Sequence, residues 1–473
     1  MLFVTLTGAL AITYEAAERK AAISVGEAAF DNAGRSVLAC YDKELFDRYG
    51  LFAFEGDEEK TEQRLEKLAK PSIEKTKIAG CKVRKVEAEQ SAFCLSDPDN
   101  LMLQIREITK RTAAEDVLSS LKDDLKTTRQ KMKEKKQSGQ KIQELESERD
   151  EAKRNAQAAV ERARAAAEEE KTDDAVLQED NVEETDLDRA SAELEEIEKA
   201  ESLHTRLKNL ANKIKGEPDS DDSDGRTLRN GRVSESLPSV SAGYRGKTAF
   251  AVGTILNDVS DDGAGDAMSD DLVTVAYIDH FFRNKMDGDA TEQNFFCCEM
   301  EYILYGALSD KENYGNAYRA IFAIRTAANT AYLILDPKKT EALSAIAELF
   351  NVPGVLTELL ILTLWGGLEA YNDMKNLENG NGVPLIKNDE SWMIDIDGLV
   401  GLIKGESEGG WYFQIPGNSH MTYSRYLDIL LLTVGKDTKL YRIMDLIQIN
   451  LKGTVREDFT IEDHFTGFAL KAE

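Results

Sequence analysis

From Ala9 to Leu45 the apolar positions Ile12, Ala16, Ile23, Phe30, Val37, Leu38, Tyr41 and Leu45 recur mostly at three-, four- or seven-residue steps, with Glu, Lys and Arg between them. That spacing predicts one continuous helix. Gly26 and Gly34 each cost about 1 kcal/mol against alanine in a helix interior, which a packed helix absorbs. Gly50 stands where a C-terminal stop is expected, and LFAFE at 51–55 reads as a strand. A charged helix over 57–70, a strand near 81–93 and a helix opening at Asp97-Pro98 follow, so 51–112 reads as a small α/β region.

From 113 to 215 the pattern becomes almost purely helical and carries a coiled-coil seam in two blocks. The first runs Leu118, Leu121, Leu125, Thr128, Met132, with Ile142 and Leu145 beyond Gly139. The second runs Leu187, Ala190, Leu194, Ile197, Ala200, Leu203, Leu207, Leu210, Ile214, with an extra three-residue step at Ile197→Ala200 that would overwind a supercoil locally. The polar stretch KTDDAVLQEDNVEETD between the blocks is suited to a turn, which predicts an antiparallel hairpin projecting from the body. Residues 216–245 read as an acidic Ser/Gly/Pro linker. Residues 246–473 read as a mostly helical globular domain, with apolar stripes at 272–286, 299–310, 314–335, 339–350, 353–376, 422–434 and 437–451. Strand signals there are confined to 391–396, 411–415 and the tail near 464–470. The expected class is α+β, mostly helical, with 1–50 as anchor and stalk helix.

Residues 1–14 (MLFVTLTGALAITY) carry no charge. A spanning helix needs roughly 20 apolar residues, and this run lacks the basic start and cleavage site of a signal peptide. Two readings remain: part of a spanning helix whose true start lies upstream, or an N-terminal core helix. Val355–Leu368, the best candidate for a second span, is interrupted by Glu358 and reads as a buried helix.

Net charge is −28. Such acidity argues against nucleic acid, whose phosphates need clustered Lys and Arg, and fits a solvated exterior. Five cysteines (Cys40, Cys81, Cys94, Cys297, Cys298) are too few for a disulfide-built fold, and their usage does not decide the compartment. Cys81 and Cys94 flank a strand signal and could pair where the surroundings oxidise; small buried hydrophobes is the plainer reading of all five.

The pieces EAAERKAA (15–22), YDKELFDRYGLFAF (41–54), EMEYILYG (299–306), AYLILDP (331–337), VPLIK (383–387) and LYRIMDLIQIN (440–450) give the chain a family look. Together they resemble an uncharacterised bacterial family encoded near tight-adherence (Tad/Flp) pilus genes, loosely similar to TadE/TadG-like minor pilins. About 118–245 the match is only in being helical and charged. In that family a full hydrophobic anchor precedes the glutamate corresponding to Glu15. The resemblance therefore implies a single N-terminal membrane anchor, the bulk of the chain extracytoplasmic, and partners among pilus or secretion-apparatus proteins.

No fragment supplies a catalytic, cofactor or metal residue. Gly246-Lys247-Thr248 ends like a phosphate-binding loop, but Ser241 occupies the position of the required glycine and no apolar strand precedes it. AYLILD with Pro337 next reads as a helix end rather than a magnesium-holding strand. Asp258, Ser260, Asp262, Gly263 and Asp266 imitate a calcium loop, yet Ser269 stands where a bidentate Glu belongs. His204, His280, His420 and His464 are scattered, and no nucleophile elbow is present. In the helix of 437–451, Leu440, Ile443, Met444 and Ile447 make one apolar face, and Arg442 and Asp445 are spaced to pair. The expectation is a membrane-anchored, surface-facing structural or assembly protein, not an enzyme. The alternative is a soluble nucleotide-dependent enzyme using a degenerate loop near Gly246.

Overall fold

The computed structural model describes residues 2–76, 82–111, 237–246, 270–288, 294–350, 355–406, 412–417, 419, 421–454 and 456–472, with single residues between 202 and 214. Most of them are helical, and the few strands are short.

Helix α1 (Leu2–Leu38) ends seven residues before the predicted register, which runs to Leu45. It stops because Asp42 turns outward to extended geometry and caps α2 (Lys43–Tyr49), accepting from the Leu45 amide at 3.0 Å. The Asp42 amide itself donates to the Ala53 carbonyl at 2.7 Å. The single helix expected through Leu45 is therefore two. Gly50 ends α2 at φ 69°, the left-handed cap its position announced. Strand β1 (Phe54–Glu55) follows, then α3 (Glu58–Lys75) capped by Asp57, strand β2 (Val86–Glu89), and α4 (Pro98–Thr109) capped by Asp97.

The small α/β region finds its strand partners at the far end of the chain. β1 pairs antiparallel with β3 (His464–Phe465), and β2 with β4 (Ala469–Ala472), in the register Val86↔Ala472. Val86 and Ala88 point inward in the alternation of a half-buried strand. With α3's Leu65, Ala69 and Ile73 and α1's Ala29, Phe30, Ala33 and Val37 they form one small core.

The C-terminal stripes become α5 (Asp270–Phe281), α6 (Glu299–Tyr305), α7 (Asp310–Leu335), α8 (Pro337–Leu349), α9 (Val355–Glu378), α11 (Tyr423–Leu431) and α12 (Lys436–Thr454), and α10 (Ile396–Lys404) forms where no stripe is read. No strand forms at 391–396 or among the described residues of 411–415. Asp395 caps α10 instead, accepting from Gly398 N, and Leu399, Leu402 and Ile403 bury its inner face. Helix α9 holds the 355–368 stretch as a buried helix, with Ile361, Leu362, Leu364, Trp365 and Leu368 in the core. Asp336 ends α7 and caps α8, with Pro337 first in the new helix. Where α7 and α9 cross, a Cβ on Gly366 would lie 2.6 Å from Thr330 Oγ1, so only glycine permits that approach.

The largest core joins α2 and α4 to α5, α6, α7, α11 and α12, so 51–112 and 246–473 are not separate packing units. A second core joins α8, α10 and the N-terminal half of α9 to Leu203 and Leu207, with Leu210 and Ile214 against it. The end of the second seam is thus built into the body, and Arg206 Nη2 donates to the Lys404 carbonyl at 2.7 Å. The rest of the expected hairpin, 113–200, lies outside the described residues. The expected linker also ends packed: Leu237 and Ser241 are buried.

Two stability predictions follow from burial. Leu207→Ala should lower the unfolding free energy by about 2–4 kcal/mol in denaturant titration, since Leu207 is 1% exposed. An unchanged midpoint would place the seam outside the core. Ile443, fully buried in α12, should not tolerate Asp: the variant should lose its cooperative thermal transition, because an unpaired charge there costs several kcal/mol.

Candidate functional site

Two kinds of site merit construction: the unburied part of α1, and the buried ionisable clusters into which most of the family pieces fall. α1 begins with an uncharged stretch and acquires charge only from Glu15. Leu6, Leu10, Ile12 and Tyr14 are 57–70% exposed, whereas Ala29, Phe30, Ala33 and Val37 are buried against α3 and β2. Thr13 donates its hydroxyl back to the carbonyls of Ala9 and Leu10, so this polar group needs no external partner. Glu15 and Arg19 pair at 2.8 Å one turn further on. No described helix is long and apolar enough to cross a membrane.

Just past its end α1 is fastened to the body through Asp42. That carboxylate accepts from Arg456 Nη2 at 2.8 Å and faces His464 Nε2 at 3.3 Å. The hydrogen bond with His464, helped by the Leu45 amide and Arg456, pulls Asp42 down to about 2 despite partial burial.

The EMEY piece is α6. Glu299 and Glu301 are fully buried and reach back to the turn at 283–287. Glu299 accepts from the Arg283 amide (3.0 Å), Asn294 (2.9 Å) and Asn450 (2.6 Å). Glu301 accepts from the Lys285 amide at 3.0 Å and the Tyr423 hydroxyl at 2.9 Å through one oxygen, and its other oxygen has no partner. Burial raises both carboxyls, Glu301 to about 7. Beside them the Cys297 and Cys298 sulfurs lie 3.5 Å apart, and both amides donate to Asp310. The two thiols and the carboxylate converge within 4.8 Å. A metal or an electrophile, however, needs thiolate. The contact with Cys297 and burial push Cys298 strongly towards the protonated form, and the Asp310 oxygens already serve two amides. The cluster reads as packing chemistry.

The LYRIMDLIQIN piece is α12, and its polar residues are buried with partners on other elements. Asp445 accepts from Tyr302 (2.8 Å), from Ser241, and from Arg245 through both oxygens at 2.8 and 3.1 Å. Arg442 does not take up the pairing that its spacing suggested. It donates to the carbonyls of Tyr244 (2.9 Å), Ile303 (2.8 Å) and Leu304 (2.7 Å). Gly246, the residue of the loop-like GKT, caps this contact with its amide on the Gly306 carbonyl at 3.1 Å. Ser241 and Gly246 are therefore structural, which removes the support for a phosphate loop; Lys247 lies outside the described residues, as do the calcium-like loop at 258–269, His204, His420 and Cys81.

VPLIK meets the helix ahead of AYLILDP in a third buried network. Arg325 pairs with Asp373 at 2.9 Å and donates to the Pro384 and Leu385 carbonyls at 3.0 and 2.8 Å. Lys387 pairs with Glu369 and, at 2.6 Å, with Asp373. Burial alone would raise Asp373, but Arg325 and Lys387 outweigh it and hold the carboxyl below its ordinary value. Two acids face two bases, so the network is neutral as a whole. Sequence reasoning missed these clusters because periodicity marks the apolar face and is silent on which polar residues oppose it.

Residues 197–473 match a family of unknown function (DUF5702), and the chain belongs to that family. No curated protein and no solved structure matches the chain.

Glu301 yields a pH prediction. A carboxyl raised from its ordinary 4.5 to about 7 in the folded state binds its proton more tightly there than when unfolded. Its contribution to stability is therefore fully present below about pH 4.5 and is lost as pH rises to about 7. Glu301→Gln should remove that slope, so its midpoint gains on the parent between pH 4.5 and 7 and stays parallel above. Midpoints that run parallel through the whole window would show that Glu301 is ionised throughout.

Proposed function

For this member of the DUF5702 family we propose a membrane-tethered, surface-facing structural or assembly protein that works within a Tad-type pilus or secretion apparatus. The observation that carries the tether is the division of α1. Its later turns are bolted to α3 and the β2–β4 pair, while from Leu6 to Tyr14 it is uncharged, with Leu6, Leu10, Ile12 and Tyr14 exposed. Exposed large apolar side chains on consecutive turns mark an attachment surface. The tether leaves the body extracytoplasmic, and its acidity, −28 overall, suits an exterior that repels copies of itself.

The scaffold reading is supported by where the buried ionisable groups go. Arg325 with Asp373, Lys387 with Glu369, and Asp445 with Tyr302 are paired inside the protein, as structural networks require. The pilus connection rests on the resemblance of the six sequence pieces; the matched family carries no assigned function.

The test is fractionation of the protein expressed from its own locus, followed by protease treatment of intact cells. The parent should sediment with membranes and be cut from outside, and Leu6→Glu with Leu10→Glu should shift it to the soluble fraction without changing its melting temperature. A parent found wholly soluble, or a double variant still bound to membranes, would sink the tether.

A further inference from the structure

We infer that a polar cavity between the end of α9 and residues 414–417, 419 and 422 is a binding site for a neutral oligosaccharide. The cavity measures about 440 Å³, within the range of small-molecule sites. Asn381, Gln414, Ser419 and Thr422 line it, with Ile415, Pro416 and three glycines between them. Among the described residues that line it none is charged, in a chain with 87 acidic and 59 basic residues. Thr422 opens α11 at the cavity, but the Arg or Lys that a phosphate or carboxylate would also call for is not among the described residues that line it. A sugar hydroxyl both donates and accepts, and amides and hydroxyls are the side chains that offer both in return.

The rim supplies the other half of sugar recognition. Tyr412 and Phe413 are 43% and 46% exposed, unusual for aromatic residues on a segment held so firmly. Asn372 accepts from the Phe413 amide at 2.7 Å. Asn376 donates to the Phe413 carbonyl at 2.9 Å and accepts from the Ile415 amide at 3.1 Å. Asn381 then donates to the Tyr412 hydroxyl at 3.1 Å, which brings that ring to the cavity's edge. Side chains two apart share a face of an extended segment, so Tyr412 and Gln414 stand together. The floor is as fixed as the rim: a Cβ on Gly382 would fall 1.8 Å from the Ser419 carbonyl oxygen, so two backbones touch there. The exposed Tyr412 ring offers a flat apolar face to the C–H side of a pyranose at little cost in ordering. This site does not depend on the tether, and either could fail alone.

The test titrates the full chain with cellotetraose, chitotetraose and mannotetraose, and with tetragalacturonate as a charged comparator, read by calorimetry. At least one neutral tetrasaccharide should bind saturably. Tyr412→Ala and Gln414→Ala should each weaken it about tenfold or more, with thermal melting unchanged because both side chains are exposed. Absence of binding by all three neutral sugars overturns the assignment. So does neutral-sugar binding that neither substitution affects, or preference for the charged comparator.

Discussion

Helix α12 is the constraint on which the rest depends, because it is buried on every side and still carries ionised and polar residues. Lys439, Arg442, Asp445, Gln448 and Asn450 are all within the interior. Leaving any one unpaired costs on the order of 1–3 kcal/mol, and more for the charges. The partners lie on several other elements: Asp271 on α5 for Lys439, α6 carbonyls for Arg442, Tyr302 of α6 and Arg245 for Asp445, the Ile461 amide for Gln448, and Tyr49 of α2 for Asn450. The apolar face gives α12 a reason to be inside; the polar rungs decide which neighbours may surround it. That distinction explains how segments from residue 49 to residue 461 come to share one core.

The same logic sets the ends of the chain. Both short β pairs join the first hundred residues to the last ten, over separations near 400 residues. Two-residue and four-residue strands have little stability alone. They hold because Asp42, Arg456 and His464 lock the adjoining turns, and because α1 and α3 cover one face of the β2–β4 pair. Contacts so remote in sequence form late, so this corner should be among the last to order as the chain folds.

What could be read from the sequence was local. Asp97 and Gly50 announce their caps, Pro337 the helix end before it, and the C-terminal stripes their helices, because side-chain periodicity and capping act over a few residues. The failures are non-local. The register through Asp42 is helical, yet its bonds to Ala53, Arg456 and His464 break the helix there. The stretch at 391–396 alternates like a strand, but Glu369 accepts the Met393 and Ile394 amides and Asp395 caps a helix. Ser241 sits in a linker by composition and in a buried cluster by structure, since Asp445, 204 positions away, joins Pro238 and Arg245 as its partners. The Asn372 and Asn376 clamp escaped notice for the same reason.

The proposed tether and the proposed sugar site make different physical demands, and they fall in different places in the fold. A tether must transmit force to the body, and the path here runs from α1 through the Asp42 turn, where one carboxylate holds an amide, a guanidinium and an imidazole at once. Because that carboxylate stays ionised down to about pH 2, the joint keeps its charge pairing across every ordinary environment. Recognition of a neutral ligand instead asks for a rigid, uncharged surface, which a strongly acidic protein must reserve deliberately. The asparagines of α9 do so by holding an extended segment through its backbone, which leaves Tyr412 and Phe413 free to face solvent. Attachment and recognition thus sit on separate elements, each braced by hydrogen bonds to side chains rather than by a sheet.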